Sequence, residues 1–417
     1  MRYRVLAVIA TALTLGVVAA ATASASSHRT ASHTLTVWLQ VDAQNGWPSV
    51  VAAANTAFQN SHPGWTVDVQ YQSWGDHLQK FDATIAGNDT PDVIEMGNTE
   101  MTKYMAAGAF ANLSSYKSSF DNSAKWLAGL TKSSMFNGKL FGVPYYAGSR
   151  LVTYRSDLFK KAGIKKAPKS LAQFVGDLTK VKAKESKVKG FSPFYMAGTD
   201  WYSALSFVYD YGGAIAKQSG SKWVGTLNSK KSIAGLTAYK KFFKATAAKS
   251  AATLNEANPA PYTVFSQNRT SAIFGPGWFS CCTGKKYTKV TGQFVMPSHT
   301  AGKSMPGFLG GSDLAVPGQS SAQTEARAWI ADFTNTANEK ALQTVGNIPN
   351  ATNLLNNSVN DRAAQQSWFV PTAKHWVDVE NGNILRTMLA QILTGKLTVK
   401  QAATTASANI AYTLNQP

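Results

Sequence analysis

The chain has 417 residues, 44% hydrophobic and 15% charged, and its 41 Lys and Arg against 22 Asp and Glu give a net charge of +19. This apolar content excludes a disordered chain, and the length exceeds what one small core organises, so two domains are expected. The positive balance invites an anionic surface or polyanion. Its lysines, however, cluster between Lys160 and Lys189, Lys217 and Lys244, and Lys285 and Lys289, among Ala and Ser rather than stacking aromatics. Solvated helix faces are expected there, and sequence-specific nucleic-acid recognition is not.

In chain order, Arg2 and Arg4 precede an apolar run from Val5 to Ala21, and Ala21 to Ala25 offers overlapping A-x-A sites. Residues 1–25 therefore read as a signal peptide, which predicts an exported protein, extracellular, cell-surface-associated or periplasmic. The run is short for a membrane span. No cysteine precedes Cys281, so lipid attachment through this leader is not expected.

Strands are predicted over Leu35–Leu39, Thr66–Tyr71 and Asp92–Met96, alternating with helices over Trp47–Phe58 and Asp76–Ile85. Such β-α-β-α-β order implies a parallel sheet covered on both faces. Ligands of open sheets sit beyond the carboxyl ends of the strands, which nominates Gln40 to Gln44, with Gln40 and Asp42, and Gly97 to Glu100, with Asn98 and Glu100. Between Leu140 and Gly163, Gly142 and Pro144 interrupt an apolar run, Leu151–Tyr154 reads as a strand, and Ser156 with Asp157 caps a short helix ending at Gly163. Ser170 and Gln173 form a capping box for a helix with apolar Leu171, Phe174, Val175, Leu178 and Val181.

Catalytic signatures are thin. There is no G-x-S-x-G or H-E-x-x-H, and the six histidines lack metal-ligand spacing. Gly302-Lys303-Ser304 fails as a phosphate loop because Pro297 stands where its first glycine is needed. Neither metal nor cofactor is expected. Two carboxylates across a cleft would still suffice for a glycosidase. Cys281 and Cys282 are the only cysteines and leave a vicinal disulfide, free thiols and an intermolecular link open.

The segment LFGVPYYAGSRLVTYRSDLFKKAG at residues 140–163 resembles the crossover of family 1 extracellular solute-binding proteins, the ligand receptors of ABC sugar importers. So do TPDVIEMGN at 90–98, GAFANL at 108–113, AIFGPGW at 272–278, GFLGGSDLAVP at 307–317, GNIPNATNLL at 346–355, FVPTAKHW at 369–376 and ILTGKLTVKQAATTA at 392–406. Each is weak alone, but they occur in the family's order over nearly the whole chain. Within the family, IEMGNTE, TDWYSALSFVYDYGG and PYYAGSRLVTYRSDLF look most like the actinobacterial binders of N,N'-diacetylchitobiose and related N-acetylglucosamine oligomers. Maltose, trehalose, cellobiose and xylo-oligosaccharides stay open as alternatives.

The resemblance implies a two-lobed α/β fold of the periplasmic-binding-protein kind, with a ligand cleft between lobes and crossing hinge strands. It places residues 34–148 plus 312–350 in the first lobe and 149–311 plus 351–417 in the second, with crossings near Tyr146–Leu151, Phe308–Leu314 and Asn350. Gly148 and Gly310 suit hinges, and Gly311 and Ser312 fall at the cleft. Sugar recognition needs flat apolar faces and convergent hydrogen-bonding groups. Trp74, Trp201, Trp278 and Trp376 are the candidate platforms; Tyr146, Arg150 and Asp200 are candidate polar contacts, with Tyr145 either at the rim or packed behind it. The implied partners are a sugar and the permease of an ABC importer, with no catalysis and a monomeric state. A secreted glycosidase and a basic envelope-binding protein are the competing readings.

Overall fold

The protein, seen in a computed structural model, is described over residues 33–257 and 259–417. The leader expected over residues 1–25 lies outside the described residues. Two α/β lobes face each other across a cleft. The first is built on a six-stranded sheet whose strands are β1 (His33–Gln40), β2 (Trp65–Gln72), β3 (Val93–Gly97), β4 (Gly142–Gly148), β8 (Gly310–Ala315) and β9 (Ile348–Pro349). The second contains a three-stranded antiparallel sheet of β5 (Arg150–Arg155), β6 (Ala272–Pro276) and β7 (Thr291–Phe294).

The spatial order in the large sheet is β9-β4-β8-β3-β1-β2. β1 pairs in parallel with β2 and β3, as the alternating pattern requires, whereas β8 runs antiparallel to both β3 and β4. The sheet is thus mixed, because β8 enters from the other lobe and runs against both β3 and β4. Period-two alternation sends Leu35, Val37 and Leu39 to a face packed with Val50, Phe58, Trp329 and Phe333. Trp38, Ile94 and Met96 face the opposite side, against Phe81, Tyr104 and Phe110. Fully burying such side chains contributes about 1.5–3 kcal/mol each, and here it covers both faces.

Pro48 shapes the first connection. It starts the helix Pro48–Ser61 at its first turn, where its missing N–H is harmless, and leaves Trp47 as a break after a short helix, Val41–Gly46. The helix expected over Trp47–Phe58 is thus Pro48–Ser61, and the short helix before it was not expected. The helix Leu171–Lys184 begins at Ser170, whose side chain accepts from the Gln173 backbone N–H at 3.2 Å. Gln173 reaches back one residue further than a capping box requires, to the Lys169 N–H at 2.9 Å. The lysines from Lys160 to Lys189 are exposed, in keeping with solvated faces.

The lobes join where β4 becomes β5 with only the buried Ser149 between them. Gly148 stands opposite Gly310 in the β4–β8 pair. Gly311 has φ of +152°, and a Cβ there would lie 2.0 Å from the Tyr146 carbonyl oxygen. Only glycine fits that approach. Further along, Asn350 donates its side-chain N–H to the Pro144 carbonyl at 2.9 Å, and Ala351 and Leu354 still pack in the first-lobe core. The second core gathers residues from Val152 to Phe308 and from Trp368 to Leu414.

Candidate functional site

The carboxyl ends of β1 and β3 point toward the second lobe. Directly after β1, the short helix Val41–Gly46 carries Asp42, whose carboxylate accepts from the Trp74 indole N–H. Trp74, 40% exposed, lies over Gly97, where a Cβ would come within 3.3 Å of its ring. Tyr146 on β4 meets Trp47 edge to face at 5.2 Å. From the second lobe, the turn Gly277–Cys282 brings Trp278, 37% exposed and edge-on to Phe279 at 4.8 Å.

Asp42, Trp47, Tyr146, Trp278, Cys282 and Val345 thereby surround an interlobe cavity of about 450 Å³. That volume lies within the range of small-molecule sites, about 300–1,000 Å³. Larger hollows of about 510 and 600 Å³ occur elsewhere, but neither is lined by a residue of β1 or the helix that follows it. Cys282 is disulfide-bonded, and Cys281 is the only other cysteine in the sequence.

A second polar group continues the cleft. Arg150, the first residue of β5, holds its guanidinium over the rings of Tyr202 and Phe308, at 5.2 and 5.7 Å, and its Nε has no hydrogen-bonding partner among the described residues. Asp200 is 3% exposed and caps the helix Trp201–Ala204 by accepting from the Ser203 N–H. Burial, reinforced by Glu256 and offset by Arg150, pushes its pKa up to about 6. Glu256 itself is gripped by Arg386 at 2.7 and 2.5 Å, so the cleft acid beside Asp200 is already paired.

Glu380 closes this group. Its carboxyl accepts from the Trp376 indole and from the Tyr202 hydroxyl, and it faces Thr99 and Glu100 of the first lobe. Burial pushes its pKa up to about 8, the Trp376 bond opposes this, and Glu100 adds to it. Glu100 in turn accepts from His77 Nε2 and from the Gly97 N–H, each at 2.9 Å. Burial works against the His77 cation, but Glu100 outweighs it and raises the pKa.

Apart from Asp200 and Gly311, placed above, the expected site residues separate into three sets. Asp42, Trp74, Glu100, Tyr146, Arg150 and Trp278 are brought together at the cleft. Gln40, Asn98 and Ser312 are buried beneath it: Gln40 donates its backbone N–H to Glu95 at 2.8 Å, the Asn98 N–H donates to the Gly311 carbonyl, and Ser312 approaches the Tyr146 hydroxyl at 3.5 Å. Trp201 and Trp376, read as platforms, are 3% and 1% exposed and pack with each other, Trp368 and Phe308 in the second-lobe core. Tyr145 packs behind the crossover against Phe333.

Sequence reading missed Trp47, Tyr202 and Glu380. The Gly46-Trp47-Pro48 loop at the end of β1 was a usable signal for the first. Glu380 stands four residues after Trp376, the spacing that aligns two side chains on one helix face.

Residues 40–340 match the profile of the bacterial extracellular solute-binding protein family. The diacetylchitobiose binding protein DasA of Streptomyces coelicolor is 31% identical over 379 residues, spanning 88% of this chain and 86% of that protein. The maltodextrin-binding protein MdxE of Bacillus subtilis is 26% identical over 208 residues, 49% of this chain and 48% of that one. Among solved structures, the GacH receptor of Streptomyces glaucescens, known unliganded and with acarbose, superposes with a TM-score of 0.77 at 19% identity, covering 92% of this chain and 99% of that one. Lmo0181 of Listeria monocytogenes, solved with cycloalternan, gives 0.76 at 17% identity, covering 92% and 100%. At these identities the superpositions establish the two-lobed fold.

Proposed function

The chain belongs to the bacterial extracellular solute-binding protein family, and from that premise we propose that it captures a sugar between its lobes and delivers it to the permease of an ABC importer. The observation that carries this reading is the interlobe cavity of about 450 Å³, walled by Trp47 and Trp278 and edged by Asp42 and Tyr146. Indole faces suit the C–H surface of a pyranose, while a carboxylate and a phenol accept and donate to its hydroxyls. Trp74, Glu100 and Arg150 extend the polar lining toward Glu380.

The ligand proposed is N,N'-diacetylchitobiose or a related N-acetylglucosamine oligomer, a reading supported by the 31% identity with DasA. The protein acts as an exported monomer and returns its sugar chemically unchanged. Its two cores move as bodies about Gly148 and Gly310, so that ligand stabilises the state in which both lobes touch it.

A thermal-shift screen over oligosaccharides, followed by calorimetric titration with N,N'-diacetylchitobiose, tests the reading. Saturable binding with recovery of intact disaccharide is the expected result. Release of N-acetylglucosamine by the pure protein would make it a hydrolase, and failure of every sugar to bind would end the receptor reading.

A further inference from the structure

Among the described residues that line the interlobe cavity, the only charged side chain is an acid. Asp42 lines it beside Trp47, Tyr146 and Trp278, and no Lys or Arg among the described residues contributes to its wall. This occurs in a chain where basic side chains outnumber acidic ones 41 to 22. With 22 acidic side chains among 63 charged ones, a lone charge on a patch would be basic about two times in three.

The surroundings deepen the asymmetry. The neighbour of Asp42 is neutral, since its Oδ2 accepts from the Trp74 indole. Behind Tyr146 lies Glu95, fully buried, with Oε2 held by the Gln40 N–H and Oε1 unpartnered among the described residues. Burial first, then Glu95 and Asp42, hold the Tyr146 phenol well above its usual pKa, so it stays protonated. Arg150 does not line this cavity; it stacks on Tyr202 and Phe308, where Asp200 and Glu256 feel its charge.

Aromatic faces carry negative quadrupoles and attract cations, most strongly where water is excluded. A carboxylate at the edge of the same cavity adds a point charge and accepts the ammonium hydrogen bonds. A uronate or phosphate placed there would meet Asp42 with no base to compensate, at a desolvation cost. A neutral hydroxyl would gain the rings and one hydrogen bond, but not the charge.

We infer that, among the N-acetylglucosamine oligomers the cavity takes, those with a free, protonated 2-amino group bind more tightly than fully acetylated N,N'-diacetylchitobiose or cellobiose, and that acidic glycans of the same skeleton are rejected. This rests on the sugar-receptor reading and narrows its substrate class. The ammonium sits against Asp42, beside the rings of Trp47 and Trp278 that line the same cavity.

The test is calorimetric titration of the full chain at pH 6 and low salt with four β-1,4 disaccharides: fully de-N-acetylated chitobiose, N,N'-diacetylchitobiose, cellobiose and cellobiouronic acid. The free-amine disaccharide is expected to bind about tenfold tighter than cellobiose, and the acid not at all. That ratio should shrink with added salt and as pH rises through the titration of the ligand's amine. Asp42→Asn, checked for an unchanged unfolding midpoint, should collapse the ratio toward one. Neutral disaccharides that bind as tightly as the free amine, or a ratio that survives Asp42→Asn, overturn the inference while leaving the receptor reading standing. If none of the four binds and no other sugar does, both fall together.

Discussion

The Trp376 indole N–H donates to the Glu380 carboxyl one turn further along the same helix, Trp376–Asn381, and so fixes the one acid of the second lobe that faces Thr99 and Glu100. As the lobes stand in this structure the Glu380 pKa is about 8, chiefly through burial. An opening of the lobes that exposed Glu380 would lower its pKa toward the ordinary carboxylate range, about 4.3, and closure would then take up a proton. For an acid raised in one state, that state is favoured below the lower pKa and loses its advantage as pH rises through the higher one.

Affinity for a neutral sugar should accordingly fall as pH rises from about 4.3 toward about 8. Glu380→Gln should flatten that slope. Titration at pH 6.5 in two buffers of different ionisation enthalpy reads the proton uptake directly; equal apparent enthalpies in both would remove Glu380 from the closing step.

Trp278 and Trp376 should respond oppositely to truncation. Trp278 is 37% exposed at the cavity, so Trp278→Ala should weaken sugar binding by roughly 2 kcal/mol, about thirtyfold, with little change in stability. Trp376 is 1% exposed, and Trp376→Ala should cost about 3–5 kcal/mol of stability while also freeing Glu380. Urea unfolding paired with titration of each variant separates the two outcomes. A Trp278→Ala protein that unfolds easily but binds normally would place that ring in the core.

Asp313 on β8 is fully buried, with neither carboxyl oxygen partnered among the described residues; the nearby Ser133 hydroxyl is committed to the Leu130 carbonyl. Burial raises its pKa to about 8. Its contribution to stability is complete below its unfolded value, about 3.9, and is lost as pH rises toward about 8. Asp313→Asn should therefore gain on the native protein across that window, by up to about 1.4 kcal/mol per pH unit. Unfolding free energies of the pair at pH 5 and pH 8 give the comparison, and a pH-independent difference would refute the assignment.

The two crossover glycines should not behave alike. Gly311→Ala must move the Tyr146 carbonyl or leave its φ of +152°, and a loss of more than about 2 kcal/mol is expected. A Cβ on Gly148 meets nothing within 4 Å, so Gly148→Ala should fold within about 0.5 kcal/mol of the native protein. If it slows lobe closure in stopped-flow fluorescence while leaving stability intact, Gly148 is a hinge; unchanged kinetics would make it a simple connector.

Periodicity and punctuation sufficed for the local architecture. Alternation placed β1, β2 and β3 in parallel, the Ser170 cap began its helix, and loop glycines around Trp278 marked an exposed ring. These are short-range properties, decided by dihedral limits and by which face of an element is apolar. The fates of Trp201 and Trp376 were not legible, because burial of a ring depends on what arrives from elsewhere in the chain, here Phe308 and Trp368. The same holds for Glu380, whose pKa is raised chiefly by burial and further by Glu100, some 280 positions earlier in the chain. The sequence by itself determined the elements, the family and the chemical kinds of side chain offered to a ligand. Only the tertiary structure decided which rings remain uncovered and which carboxyls lose water, since desolvation and cavity shape arise from contacts between residues far apart in the chain.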